Sequence, residues 1–346
     1  NAAELIGKAS SVAYYAWKGV GQSVTSTQTD RALTLLYALT GSYGRAGGNV
    51  PGAAASFADI SGPELLSPAQ RAKTIGLDNR PLGPGLQNWV TARDVYRAVL
   101  TGDPYPVRML FSFGTNILVS QPDTALARRA FEQLEFHVHA DFFLNPSAAY
   151  ADIVLPVATS WEREGLRPGF DTSLAGLRRV QLRPPVVAPV GEARADTDIV
   201  LALAERLGLA EKFFGGSADR GHDAVLKSSG LTVAQLRQRP EGVELDSAVP
   251  LEAHALPAAN GPRGFPTPTR RVEIYSERLA EHGYAPVPAF EDTPEQARDP
   301  NYPLRLGCAK TVAYCHSQHR NIASLRRLMP DPLIEIATED AAARNI

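Results

Sequence analysis

The chain has 346 residues, enough for a sizeable core and about two domains. Hydrophobic residues make up 44% and charged residues 21%, an ordinary globular balance, and a formal net charge of -2 leaves no general basic field for nucleic acid. Its two cysteines, Cys308 and Cys315, make neither a disulfide framework nor a four-thiolate site, and no apolar run approaches the ~20 residues that cross a bilayer.

Residues 3–17 read as a helix running into the apolar stretch Val12-Ala13-Tyr14-Tyr15-Ala16-Trp17, and a turn-prone patch, Gly19-Val20-Gly21-Gln22, follows. Asp30 can cap a helix whose apolar face is Leu33, Leu36, Tyr37 and Leu39. That helix ends near Gly41, ahead of the glycine-rich Gly44-Arg45-Ala46-Gly47-Gly48-Asn49. Residues 50–92 are rich in Gly, Pro and Ser and read mostly as loop, a length that is usually functional or covers a partner surface.

The clearest pattern lies in residues 107–156. A buried strand is predicted over 107–113, then the turn Gly114-Thr115-Asn116, a helix over 122–134, a second strand over 136–140, Asp141, and a short apolar run, Ile153-Val154-Leu155. Strand–loop–helix–strand is the unit of a parallel, doubly wound sheet, with a right-handed crossover. Residues 157–190 look irregular. A helix over 196–207 ends at Gly208, residues 211–268 read as a mixed insert, Val272-Glu273-Ile274-Tyr275 as a short strand, and Ser276 as the cap of a short helix. Proline-rich residues 285–303 form a linker, and Leu304-Arg305-Leu306 opens what reads as a β-containing domain. The expected architecture is α/β, a parallel Rossmann-like sheet with flanking helices plus the start of a β-rich C-terminal domain. Residues 1–50 belong to its central region, 51–106 to a loop-rich connection, 107–284 to a dinucleotide-binding domain with an insert, and 304–346 to the start of the last domain.

In open α/β sheets ligands bind beyond the carboxyl ends of the strands. Gly114-Thr115-Asn116 sits there, and a Gly lets backbone approach a ligand, although a plain turn explains the same residues. Asp141 follows the second strand, where dinucleotide folds place an acid on the nucleoside. A carboxylate can also accept from N1–H and N2–H of guanine, and it can equally cap a helix or sit on the surface. His137 and His139 share one face of the predicted strand and read as hydrogen-bonded core residues, since a third metal ligand is not evident. His316 and His319 lie beside Ser317, Arg320 and Asn321, a cluster that can grip a polar ligand or sit on the surface. Cys315 with a neighbouring His is a nucleophile pair only if the two meet in space, which sequence neighbours rarely do. Glu162 and Glu164 read as solvated charges, and Arg178-Arg179 as either a phosphate contact or an exposed face.

Several segments, colinear over nearly the whole chain, resemble the molybdopterin-guanine-dinucleotide enzymes of the dimethyl-sulfoxide-reductase and formate-dehydrogenase family. Trp17-Lys18-Gly19-Val20-Gly21-Gln22, Arg31-Ala32-Leu33, and Leu39-Thr40-Gly41 through Gly47-Gly48-Asn49 resemble a glycine loop and a helix ending in "LTG…GG". Gly114-Thr115-Asn116 with Pro122-Asp123 resembles "GxNP…PD". Asp141-Phe142-Phe143, Ala151-Asp152-Ile153-Val154-Leu155-Pro156 and Glu162-Arg163-Glu164-Gly165 resemble "D…F…ADIVLP…E..G". Gly191-Glu192-Ala193-Arg194 with Asp196 resembles "GEARPD", residues 267–276 resemble "TPSGKIELYS", and residues 316–321 resemble the opening of the family's C-terminal cofactor domain.

The resemblance implies bis-molybdopterin guanine dinucleotide carrying molybdenum or tungsten, and two-electron redox or oxygen-atom transfer in the parent. It implies that Gly114, Thr115 and Asn116 lie on the guanosine-diphosphate half, that Asp141 reads the guanine edge, and that Asn145 stands beside it. Gly19, Gly21 and Gln22 would approach the cofactor from the other side of the cleft. Lys310, Thr311, His316, Ser317 and Arg320 would approach a pterin or its phosphates. A [4Fe–4S] cluster and the residue bound to the metal would lie before Asn1, and an iron–sulfur subunit is the implied electron partner. The expectation is therefore an internal fragment, inactive when isolated. The sequence departs from the family after Gly165, where residues 166–175 diverge. The competing readings are a nucleotide-binding or interaction module without redox activity, and a nicotinamide-dependent dehydrogenase, which lacks its GxGxxG here.

Overall fold

The computed structural model describes residues 1–16, 18–50, 56–169, 173–246, 250–290, 300–304, 306–316 and 318–346. The chain divides into two units, Asn1–Phe290 and Glu291–Ile346.

The first unit opens with α1 (Ala2–Lys8), capped by Asn1 in a reciprocal box with Glu4. The helix predicted over 3–17 stops at Lys8 because a distant partner takes the following backbone. Asn49 accepts from the Tyr14 amide at 2.6 Å and donates to its carbonyl at 2.7 Å, holding this stretch out of a helix. Helix α2 (Ser26–Leu39) starts a turn before Asp30, the expected cap, with Thr25 at the boundary. The Gly47-Gly48 pair returns the chain tightly, for a Cβ on Gly48 would stand 1.8 Å from the Ser42 carbonyl oxygen. Residues 56–91 are mostly loop, with one short α-helix, α3 (Pro68–Arg71), and two 3-10 turns, Pro63–Leu65 and Pro84–Gln87.

The first sheet is parallel, in the order β1 (Met109–Phe113), β2 (Phe136–Asp141), β3 (Ile153–Pro156). Three helices prepare one of its faces. The chain leaves β1 through the short α5 (Ile117–Ser120), which was not expected, and α6 (Thr124–Gln133), the helix expected over 122–134. Asp123 caps α6 by accepting from the Leu126 amide at 3.0 Å. Before β1 runs α4 (Ala92–Thr101), capped by Thr91 and not anticipated in the loop-rich stretch. Tyr96, Val99, Leu118, Ala127, Ala130 and Phe131 from these helices form one buried cluster, with Leu110 of β1 packed against it. On the opposite face Phe113 lines a cavity of about 470 Å³ with Val200 and Leu201 of α8 (Asp196–Arg206) and Val225 of α9 (Ala218–Leu226). Helices thus flank both faces of the parallel sheet.

Residues 157–190, read as irregular, hold two strands of a second, antiparallel sheet. Its strands are β4 (Gly165–Pro168), β5 (Arg179–Arg183) and β6 (Val243–Glu244), with α7 (Leu174–Arg178) between the first two. Its apolar side packs on α9 and on α10 (Val233–Arg237), around Val180, Leu182, Leu226, Val233 and Leu236. Strand β5 pairs with the short β4 before it and, some 60 residues further on, with β6, so local pattern could not reveal the sheet. A two-stranded ladder, β7 (Pro257–Ala258) with β8 (Gly261–Pro262), follows. Residues 272–275 are not a strand, since nothing among the described residues offers them a ladder, but Ser276 does cap α11 (Glu277–Glu281) through the Leu279 amide.

In the second unit the described residues form α12 (Ala323–Leu328), α13 (Thr338–Ala342) and one isolated bridge, Cys315 to Gln318. Leu304 and Leu306 are not in a strand, and no ladder partner reaches them among the described residues. No helix among the described residues is long and apolar enough to cross a membrane.

Candidate functional site

The carboxyl end of the parallel sheet gathers the polar residues singled out in the sequence. Gly114 follows β1 at φ +52°, a left-handed conformation that Gly adopts without steric cost, and its amide donates to the Ala140 carbonyl at 2.8 Å. Nothing lies within 4 Å of where a Cβ on Gly114 would stand, so the turn faces open space. Asn116 begins α5, and its Oδ1 accepts from Ser147 Oγ at 2.9 Å. The same Ser147 oxygen accepts from the Leu118 amide at 3.1 Å. Ser147 is buried, and it ties the loop after β1 to the loop after β2.

Asp141 ends β2 as neither a helix cap nor a free surface charge. Its Oδ1 accepts from the Phe142 amide at 2.6 Å and the Phe143 amide at 3.3 Å, and its Oδ2 accepts from Asn145 Nδ2 at 2.9 Å. Asn145 Nδ2 also lies 3.3 Å from the Thr115 carbonyl, so Thr115, Asp141 and Asn145 meet at one point. Asn145 Oδ1 accepts from the amides of Ser147 and Ala148, at 3.0 and 3.1 Å. Phe142, Phe143 and Leu144 stand exposed beside the carboxylate.

Beneath this layer the sheet carries a buried polar pair. Ser112 Oγ lies 3.0 Å from His137 Nε2 and 2.7 Å from His139 Nδ1, and both rings are fully enclosed. Burial pushes the His137 pKa below its ordinary value. Sequence reading placed both histidines in the core but missed Ser112 and Ser147. Ser112 had a signal, being the polar residue within an otherwise apolar strand, whereas Ser147 had none beyond the turn-prone Asn145-Pro146-Ser147.

The other singled-out residues fall elsewhere. Gly19 precedes a single 3-10 turn, Val20–Gln22, and Gln22 is exposed. Gly21 lines a cavity of about 500 Å³ with Tyr14, Tyr15, Ser26, Thr27 and Asp30, to which Gly114, Asn116 and Asp141 do not contribute. In the second unit Lys310 Nζ lies 3.2 Å from His316 Nδ1, Arg320 sits 4.5 Å above the Tyr314 ring, and Thr311 is exposed. Ser317 lies outside the described residues. Glu162 is buried rather than solvated and accepts from the amides of Thr159 and Val190, at 2.7 and 2.9 Å. Glu164 pairs with Arg237 and Arg178 with Glu244.

A parallel sheet, helices on both faces and a polar cluster at the carboxyl ends of β1 and β2 define an open, doubly wound α/β protein. Residues 15–206 match the family model "Molybdopterin oxidoreductase", and the chain belongs to the molybdopterin oxidoreductase family. A probable oxidoreductase of Bacillus subtilis is 31% identical, the match covering 72% of this chain and 35% of that one. The dimethyl sulfoxide/trimethylamine N-oxide reductase of Cereibacter sphaeroides is 32% identical over 70% of this chain and 32% of its own length. The structure of acetylene hydratase from Pelobacter acetylenicus shares the fold, with a TM-score of 0.83 at 22% identity, covering 100% of this chain and 50% of that one. The chain therefore spans about a third of the length of these curated relatives. Membership implies a molybdopterin cofactor with molybdenum or tungsten.

Proposed function

We propose that the crevice at the ends of β1 and β2 holds the guanosine-diphosphate half of a molybdopterin guanine dinucleotide. The observation that carries this is the joining of Asn116 and Asp141 into one network through Asn145 and Ser147, in front of open space at Gly114. The residues present fit the group. The Gly114 turn offers backbone that a ligand can approach closely, and the Asp141 carboxylate faces the donor edge of guanine. Of the hydrogen bonds that the carboxylate accepts, the 3.3 Å contact from the Phe143 amide is the longest, and it is the one that Asp141 would give up most cheaply to hold a guanine.

The bound cofactor would supply metal-centred two-electron redox or oxygen-atom transfer to the whole protein, and the residues described here would anchor and orient it. Gly19, Gly21 and Gln22 are proposed to approach its other parts. Two cysteines cannot ligate a [4Fe–4S] cluster alone, so its thiolates, and an iron–sulfur electron partner, would come from elsewhere.

Calorimetric titration of the chain with GDP and with NAD tests the reading. GDP is expected to bind more tightly, and Asp141→Asn to weaken GDP by about tenfold or more, the usual effect of losing charge-assisted hydrogen bonds. Preference for NAD, or an unchanged GDP affinity in Asp141→Asn, would defeat it.

A further inference from the structure

The hydrogen bonds behind Asp141 form a chain whose direction can be worked out. Asn145 Oδ1 already accepts two backbone amides, so its Nδ2 must face Asp141, Thr115 and His139. The two hydrogens of that nitrogen go to the two groups that can only accept, the Asp141 carboxylate at 2.9 Å and the Thr115 carbonyl at 3.3 Å. With both Asn145 hydrogens directed to those acceptors, His139 Nε2, 3.3 Å from Asn145 Nδ2, is left to act as a donor, and it lies 3.5 Å from Asp141 Oδ2. A bare ring nitrogen there would aim a lone pair at a carboxylate, whereas an N–H is attracted to it. A ring carrying one proton therefore holds it on Nε2 and leaves Nδ1 bare, where the Ser112 hydroxyl donates at 2.7 Å. Ser112 Oγ, its proton used, accepts from His137 Nε2 at 3.0 Å. The nitrogen left over is His137 Nδ1, which has no hydrogen-bond partner. A bare acceptor is the cheaper group to leave unpaired.

We propose that His139 is a positioning residue for nucleotide recognition: held in one tautomer by Ser112, it presents Nε2–H to Asp141 and fixes that carboxylate toward the guanine edge. The inference rests on the reading of Asp141 as the guanine acceptor. His139 is fully buried beneath Asp141 and so acts through the carboxylate, without touching the nucleotide. The ring's register partners across the sheet are Ser112 on β1 and Val154 on β3, and it faces Asp141 at the end of β2 and Asn145 on the loop beyond.

The test compares GDP with inosine diphosphate, which keeps N1–H and lacks the N2 amino group, so their affinity ratio reports how well the carboxylate is aimed. Wild type is expected to favour GDP. In His139→Leu the ratio falls about tenfold toward unity while diphosphate binding persists. In His139→Gln it is partly restored, because a glutamine amide can donate to Asp141. Ser112→Ala, a small change that leaves both rings in place, lowers the ratio as well, and keeps the question answerable if the leucine variant does not fold. Nitrogen-15 spectra of labelled histidine are expected to show His139 with a bare Nδ1 and a protonated Nε2. A wild-type ratio retained in His139→Leu or in Ser112→Ala, or the opposite tautomer, overturns the positioning role while leaving the Asp141 reading intact. A wild-type ratio of unity together with an indifferent Asp141→Asn removes that reading, and this inference with it.

Discussion

His137 lies inside the sheet against Phe131, with ring centroids 5.1 Å apart, where a charged imidazole is poorly solvated. Burial lowers its pKa; the neighbouring His139 acts in the same direction, and the Tyr150 carbonyl and Asp152 oppose it. The sign follows from proton counting. Below the ordinary value of 6.5 the unfolded chain protonates His137 and the folded chain does not, so stability falls as the pH drops through that point toward the folded value. Urea midpoints measured from pH 7.5 to pH 5 are expected to decline, and the decline to be shallower in His137→Gln. Equal slopes for the two proteins would show that burial does not hold the ring neutral. The apolar-and-polar strand Phe136–Asp141 made these histidines legible as core groups. Nothing in the sequence announced that one serine on the neighbouring strand would bridge them, because Ser112 meets them across a register that only the fold establishes.

Elements were legible where their partners are near in sequence. Strands β1 and β2 are short apolar runs separated by one helical crossover, the form that a buried parallel sheet imposes. Strand β5 escaped notice because its neighbours are the four-residue β4 and the two-residue β6 far downstream. Residues 12–16 misled in the opposite sense, since their apolar content suited a helix that the Asn49 side chain prevents. Helix α10 shows which forces hold such elements. Arg237 makes paired hydrogen bonds to both Glu164 and Asp219, which raise its pKa, yet its side chain is 46% exposed. Solvent screening limits each such pair to roughly 0.2–1 kcal/mol. Leu236, the preceding residue, is fully buried among Val180, Leu226 and Val233, and truncating such a leucine costs about 2–5 kcal/mol. Arg237→Met is therefore expected to lower stability by about 1 kcal/mol and to do so less at high salt, as read from denaturant midpoints. A loss of the leucine size, insensitive to salt, would mean that the charge cluster rather than the apolar face seats this helix.

At the scale of the whole first unit, two buried clusters share no member: one lies under the parallel sheet with α4, α5 and α6, the other between the antiparallel sheet and α9 and α10. The candidate nucleotide residues all stand above the first. Ser147 closes that end by holding Asn116 and the Leu118 amide at once, and Leu118 is itself a member of the first cluster. The two clusters should then be separable in function as well as in space, since substitutions without shared partners act almost independently. Leu236→Ala is expected to lower the melting temperature while leaving GDP affinity unchanged at temperatures where the chain stays folded. Ser147→Ala removes two hydrogen bonds beside the crevice, each worth ~1 kcal/mol net. It is expected to weaken GDP several-fold as the Gly114 turn and the Asp141 loop lose their tie. Calorimetry for stability and titration for affinity, run on both variants, decide the point. If Leu236→Ala weakens GDP as much as Ser147→Ala does, the crevice depends on the antiparallel sheet, and the unit works as one cooperative body rather than as a nucleotide platform with a second sheet attached.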